Sequence, residues 1–272
     1  FMTGIRLRAI IVIAAMALGG TTARAEQIAH SHKTQITDVL GRTVTVEAPA
    51  ERVVVTFNYE EFAAIAGPKA FDKVVGFTKT AWYDWRRSVW DKYVAAVPRI
   101  AQITDVGLAY DGTFSVEKVI AAKPQAMIVP KWAFDSLGPQ LAQLEAAGIP
   151  TIVINYNAMR VDSHVASTLA IGKVMGTEVR AKELAALYKS KVEDVQARVA
   201  RANKPKPKVY VELGKDGPGV FGASFADDQW GPLVETAGGV NIAKGKITAE
   251  APLSAEYVLS ANPDFVFIAG SN

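Results

Sequence analysis

The chain has 272 residues, half of them hydrophobic, a formal net charge of +3 and no cysteine. Without cysteine there is no disulfide framework and no thiolate metal centre, so the fold must rest on its apolar core. Three basic residues, Arg6, Arg8 and Arg24, fall in an N-terminal leader. Without them the basic count drops from 30 to 27 and equals the 27 acidic side chains, a neutral balance that argues against nucleic acid as a partner, since that binding rests on phosphate neutralisation.

In chain order, Arg6 and Arg8 precede a nearly unbroken apolar run, Ala9 to Gly20, and then the small-x-small tripeptide Ala23-Arg24-Ala25. These parts in this order predict a signal peptide over 1–25, and hence an exported protein. The apolar run is roughly a dozen residues, whereas a spanning helix needs about 20. No cysteine follows it to carry a lipid. Phe1 ahead of Met2, and a halt at Asn272 directly after an apolar strand, lead us to expect a fragment with an incomplete C-terminal lobe.

Glu26 to Lys33 is polar and is expected to be loose; His30-Ser31-His32 within it is a weak chelating motif. Ile36 to Glu47 reads as a hairpin, with strands I-T-D-V-L and T-V-T-V-E around Gly41-Arg42. Strands and helices then alternate. Strands are predicted at Arg52 to Phe57, Val74 to Phe77, Ala126 to Val129 and Thr151 to Tyr156. Helices are predicted at Glu60 to Ala66, Asp84 to Val97, Ser115 to Ala122 and Leu137 to Ala147. That alternation means βα units and a mainly parallel sheet. Val161 to Met175 and Thr177 to Ala202 break the rhythm as two successive helices. The second has an apolar stripe of Leu184, Leu187, Tyr188, Val192, Val195 and Val199 and stops at the K-P-K-P-K run, Lys204 to Lys208. Beyond it come a strand at Val209 to Leu213, helices at Gln229 to Ala237 and Ser254 to Ala261, and a strand at Phe265 to Ala269.

Ser115 to Val129 and Ser254 to Ile268 form an internal repeat in which Ser, Glu, Val, Ala and Pro recur at the same offsets. Each Ser is placed to cap a helix. Each Glu, Glu117 and Glu256, falls in the first helical turn, where the dipole favours negative charge. The repeat reads either as two ordinary helix–strand units or as matched acids for a partner that touches both halves.

Three further stretches join the S-x-E-x-V repeat: I-T-D-V-L-G-R-T-V-T-V with E-R-V-V-V, L-E-A-A-G-I-P-T-I-V-I, and W-G-P-L-V-E-T-A-G-G-V-N-I-A. On these the chain resembles the ABC-transporter periplasmic binding proteins of the iron-siderophore and cobalamin class. The resemblance implies an α/β fold of two Rossmann-like lobes, 34–176 and 204–272, joined by a single long helix, 177–203, with the ligand cleft between them. It implies a monomer that delivers a ferric siderophore or similar metal chelate to an ABC permease in the inner membrane. It also implies that Glu117 and Glu256 dock on that permease, and that there is no cofactor and no catalytic residue.

Ligands of open α/β sheets sit beyond the carboxyl ends of the strands. The candidate ligand residues are therefore Asn58, Tyr59, Lys79, Trp82, Tyr83, Arg86, Lys131, Trp132, Tyr156, Phe221, Ser224 and Trp230, with Trp85, Arg87, Asn155, Asn157, Ser271 and Asn272 in the same loops. Aromatic walls with a few basic groups suit a planar or chelated anion. Direct metal capture is not expected from three scattered His, and Tyr59, Tyr83 and Tyr156 are weak candidates as ferric phenolates. Two further matches are discounted. Gly217 to Gly222 spells a dinucleotide fingerprint without the strand-to-helix turn it needs. Gly222 to Ala226 resembles a nucleophile elbow, but no His follows Ser224. An exported α/β hydrolase, a haem, cobalamin or oxyanion carrier, and a sensor lobe are the alternatives.

Overall fold

The computed structural model describes residues 31–214 and 222–269. The expected signal peptide, His30, residues 217–221 of the discounted fingerprint (Phe221 among them), Ser271 and Asn272 lie outside the described residues.

The chain opens with an antiparallel hairpin, β1 (His32–Thr37) and β2 (Thr43–Ala48). The first strand starts four residues before the expected Ile36, so His32 is in a strand and not in a loose tail. It ends sooner because Asp38 turns the chain. The buried Asp38 carboxylate accepts from the backbone N–H groups of Leu40 and Arg42 and from Val153 N–H at 3.3 Å. The Arg42 guanidinium pairs with Asp38 at 2.6 Å and also donates to the Thr151 carbonyl at 2.8 Å. The buried charge is thus surrounded by donors, as burial requires, and the hairpin is pinned to the sheet behind it.

Then follow β3 (Val53–Val55), α1 (Tyr59–Ala66), β4 (Val74–Phe77), α2 (Thr80–Tyr83), α3 (Arg87–Ala96), β5 (Thr104–Asp105), α4 (Val116–Ala122), β6 (Ala126–Pro130), α5 (Lys131–Asp135), α6 (Gln140–Ala146) and β7 (Thr151–Ile154). Their strands form one parallel sheet in the order β5-β4-β3-β6-β7. Side chains alternate between its faces. Val53, Val55, Ala126, Ile128, Ile152 and Ile154 meet one core, while Val54, Met127, Val129 and Val153 meet another under α4, α5 and α6. Period-two alternation with both faces covered is why these strands read as unbroken apolar runs.

The helix expected over Asp84 to Val97 starts only at Arg87, as α3, and α2 is a separate single turn that ends before Asp84. The break is at Arg86, whose backbone leaves the helical region (φ −140°, ψ 57°), and Trp85 and Arg86 therefore precede the α3 stripe. The remaining elements are α7 (Val161–Met175), α8 (Glu178–Ala202), β8 (Lys208–Leu213), β9 (Ala223–Phe225), α9 (Trp230–Thr236), β10 (Val240–Asn241), β11 (Glu250–Pro252), α10 (Ala255–Ala261) and β12 (Phe265–Ala269). A second parallel sheet has the order β10-β8-β12, and β9 pairs with β11 antiparallel. Helix α8 leans on α7 so closely that a Cβ on Gly172 would stand 2.3 Å from that of Ala181. Its buried contacts are Ala181 and Ala185. Leu187 and Val195, expected in the buried stripe, are exposed, because α8 runs past the surface it packs on. Among the described residues no helix is long and apolar enough to cross a membrane.

Candidate functional site

In the first sheet, β3 is followed in sequence by its neighbour β4 on one side, while β6 adds on the other side. The strand order therefore reverses between β3 and β6, and such a switch point opens a crevice at the carboxyl ends of the strands. Phe57 leaves β3 there, and Trp132 sits at the start of α5 directly after β6. Their rings meet edge to face, 5.3 Å apart. Trp85 lies 6.3 Å from both rings, and Tyr110, from the loop after β5, lies 6.4 Å from Trp132. Four loops thus build one aromatic platform, on which Trp85 is 41% and Tyr110 73% exposed. Arg86 borders it, its guanidinium carbon 5.6 Å from the Phe57 centroid.

Arg86 is held by Glu60, Nη1 to Oε1 at 3.0 Å and Nη2 to Oε2 at 3.2 Å. Lys131 pairs with Asp135 one turn along α5. Lys79 sets its ammonium 4.7 Å from the Tyr83 ring, and the Arg87 guanidinium also lies against Tyr83, at 4.3 Å. Lys79, Tyr83, Arg86, Lys131 and Trp132 are thus at or beside the rim, as their positions after strands suggested.

Several expected ligand residues turn inward instead. Trp82 is 0% exposed, stacked on Tyr59 at 4.5 Å and against Tyr93 at 4.8 Å. The Tyr59 hydroxyl donates to the Thr78 and Thr56 carbonyls, and burial pushes its pKa well above that of a free phenol, which is the wrong direction for a ferric phenolate. Tyr156 is buried with its hydroxyl 3.0 Å from Thr168 Oγ1, and burial raises its pKa too. Asn58 is buried in a left-handed conformation ahead of α1, with Oδ1 unpartnered. The Ser224 hydroxyl is sealed in the core, donating to the Val211 carbonyl at 2.7 Å, so it serves neither as ligand contact nor as nucleophile. Among the described candidates of the second half, only Trp230, at the head of α9, is exposed as expected.

Sequence reasoning missed Phe57 and Tyr110. Phe57 reads as the last residue of its strand. Tyr110 follows β5, whose two residues carry no periodicity; the Asp111-Gly112 turn was the available signal.

The two halves touch where Gln229 N–H donates to the Asn157 carbonyl at 2.7 Å and Arg160 reaches the Asp227 carbonyl. Asp228 sits in this rim; burial and the neighbouring Glu250 and Asp227 raise its pKa. Grooves of about 740 and 700 Å³ run along α8 against α9. They lie on the helical side, away from the strand ends, and of the aromatic residues only Tyr188 lines them. No group of three His, Asp or Glu suited to a metal occurs among the described residues. Glu117 and Glu256 are both in the first turns of their helices, α4 and α10, and neither is buried. Ser115 Oγ donates to Glu117 at 3.0 Å, and a backbone bond together with this one lowers the Glu117 pKa.

Comparison with known proteins agrees with this architecture. A family model described as periplasmic binding protein matches residues 54–272. The TroA-like periplasmic binding protein FepB of Veillonella parvula is 40% identical over 88% of this chain and 70% of its own, with a TM-score of 0.79. An uncharacterized ABC transporter substrate-binding lipoprotein of Bacillus subtilis, YvrC, is 24% identical over 95% of this chain and 78% of its own. The siderophore binding protein BauB, solved with two molecules of acinetobactin and ferric iron, shares the fold at 23% identity. That match has a TM-score of 0.62 and covers 88% of this chain and 77% of BauB.

Proposed function

The chain belongs to the periplasmic binding protein family, and on that premise we propose that it captures a ferric siderophore or a similar metal chelate and passes it to a permease. As a member of that family it is a solute-binding component of an ABC transporter. It is not an enzyme, and it binds a transported ligand without a resident cofactor. The platform of Phe57, Trp85, Tyr110 and Trp132 at the switch point carries the ligand reading. Aromatic faces give a chelate large contact area at little entropic cost, and BauB, which shares the fold, was solved with a siderophore and ferric iron. The second lobe, 204–272, reached through the helix at 177–203, supplies Trp230 and closes over a ligand seated on the first, 34–176. Glu117 and Glu256 dock the loaded protein on cations of the permease. The signal peptide over 1–25 delivers the chain to the periplasm.

Calorimetric titration with ferric siderophores, haem, cobalamin and molybdate tests this reading. A ferric siderophore is expected to bind most tightly, and Trp132→Ala to weaken it about tenfold, the scale of one lost aromatic contact. Heat with molybdate alone would sink the chelate reading. Reversing both acids, Glu117→Lys with Glu256→Lys, is expected to abolish uptake and leave affinity unchanged; intact uptake would remove the docking role.

A further inference from the structure

We propose that Ile120 and Leu259 are apolar anchors of the permease interface, so that each half of the molecule presents a carboxylate and, one helical turn on, an exposed aliphatic side chain. This rests on the docking reading of Glu117 and Glu256. The two aliphatics stand at the same place in the repeat, five residues after the capping serine and three after the acid. Residues three apart share a helix face, so Glu117 lies with Ile120 on α4, and Glu256 with Leu259 on α10. Ile120 is 42% and Leu259 79% exposed. A single exposed aliphatic is ordinary on a protein surface. Two of them, each beside a matched acid, make one surface presented twice.

The neighbouring positions serve the fold in both helices. Just before each aliphatic, Val119 packs in the core under α4 and Val258 packs against the core beside the second sheet. Just after each acid, the side chain is tied back to a backbone carbonyl. Lys118 Nζ donates to Asp105 at 3.1 Å, and the Tyr257 hydroxyl donates to Ile242 at 2.8 Å. Lys118 therefore makes no ion pair with Glu117. Lys123 and Arg52 stand at the far end of α4, where Arg52 Nε donates to the Lys123 carbonyl at 3.1 Å. The acid and the aliphatic are left facing outward in each half. A partner that fits offers each half a cation and, about 5–6 Å from it, an apolar hollow. Apolar contact beside an ion pair excludes water and strengthens the pair. A permease that carries the docking cations has this charge complementarity. A second copy of this chain would bring acid against acid on these faces.

The experiment puts a photoreactive benzoylphenylalanine at Ala121 or at Ser260, the exposed residues next to the anchors. The protein is illuminated with membranes of its source cell, and the products are identified by mass spectrometry. Both positions are expected to label a subunit of an ABC permease. Ile120→Ala with Leu259→Ala is expected to cut that yield at least about tenfold, with the urea midpoint unchanged. The loss should persist at high salt, because apolar burial is not screened. An undiminished yield in this double variant, with Glu117→Lys and Glu256→Lys still abolishing it, overturns the anchors and leaves the docking acids standing. Labelling of the same chain or of a second copy also overturns the inference, as does a lowered urea midpoint, since another segment then covers the aliphatics. No permease product at either position, even without further substitutions, removes the docking reading together with the anchors.

Discussion

Ser115–Val129 and Ser254–Ile268 share a sequence pattern and share local geometry to the same degree, yet their surroundings differ. In each, the leading serine accepts from the backbone N–H three residues on, Lys118 in one and Tyr257 in the other, at 3.2 and 3.1 Å. Each helix ends on a left-handed residue, Lys123 at φ 48° and Asn262 at φ 47°. The strands that follow part company. Every residue of β6 is buried between β3 and β7, whereas among the described residues Phe265 to Ile268 in β12 are all more than half exposed, with β8 as the strand's one neighbour. A short pattern therefore encodes a capped helix and a strand, and leaves burial to whatever packs on them.

Matched substitutions sharpen this contrast most. Ile128 and Phe267 occupy the same offset of the repeat; the first is 0% and the second 57% exposed. Ile128→Ala is expected to cost about 2–5 kcal/mol by urea denaturation, and Phe267→Ala less than about 1 kcal/mol. Equal losses would mean that β12 is covered in solution.

Acid offers a way to weaken the first half selectively. His164 on α7 lies against Tyr156 and stacks on Tyr188 of α8 at 3.5 Å, and burial pushes its pKa down to about 4. The unfolded chain takes up this proton near pH ~6.5 and the folded one does not. The stabilisation is thus complete above about pH 6.5 and is lost as pH falls towards about 4. His164→Gln is expected to flatten the fall in urea midpoint between pH ~7 and ~4.5, relative to wild type, by removing this contribution; an unchanged slope would count against it.

The smallest effect tests the shared part of the comparison. Ser115→Ala and Ser254→Ala should each cost about 1 kcal/mol, and by similar amounts, since the two caps have the same geometry. A cap that matters in only one half would break the equivalence.

Much of the fold could be read from residues alone. The bounds of α7 and β12 fall where periodicity and Gly176 put them, and the βα rhythm announces the parallel sheets. Strand order could not be read, because register and neighbour choice depend on contacts between distant segments. The platform exists only through that order. The same gap explains Trp82 and Tyr59: a residue just past a strand end can turn toward the crevice or toward the core, and local sequence does not distinguish the two. Phe57, one residue before Asn58, turned outward.

The five tryptophans divide along this same line. Trp82 and Trp90 are sealed in the first core, while Trp85, Trp132 and Trp230 retain contact with water. The sealed pair is expected to emit further to the blue than the wet trio. A ligand seated on the platform is expected to quench the red side first and denaturant to shift the blue side, so a single unlabelled sample would report occupancy and folding at once.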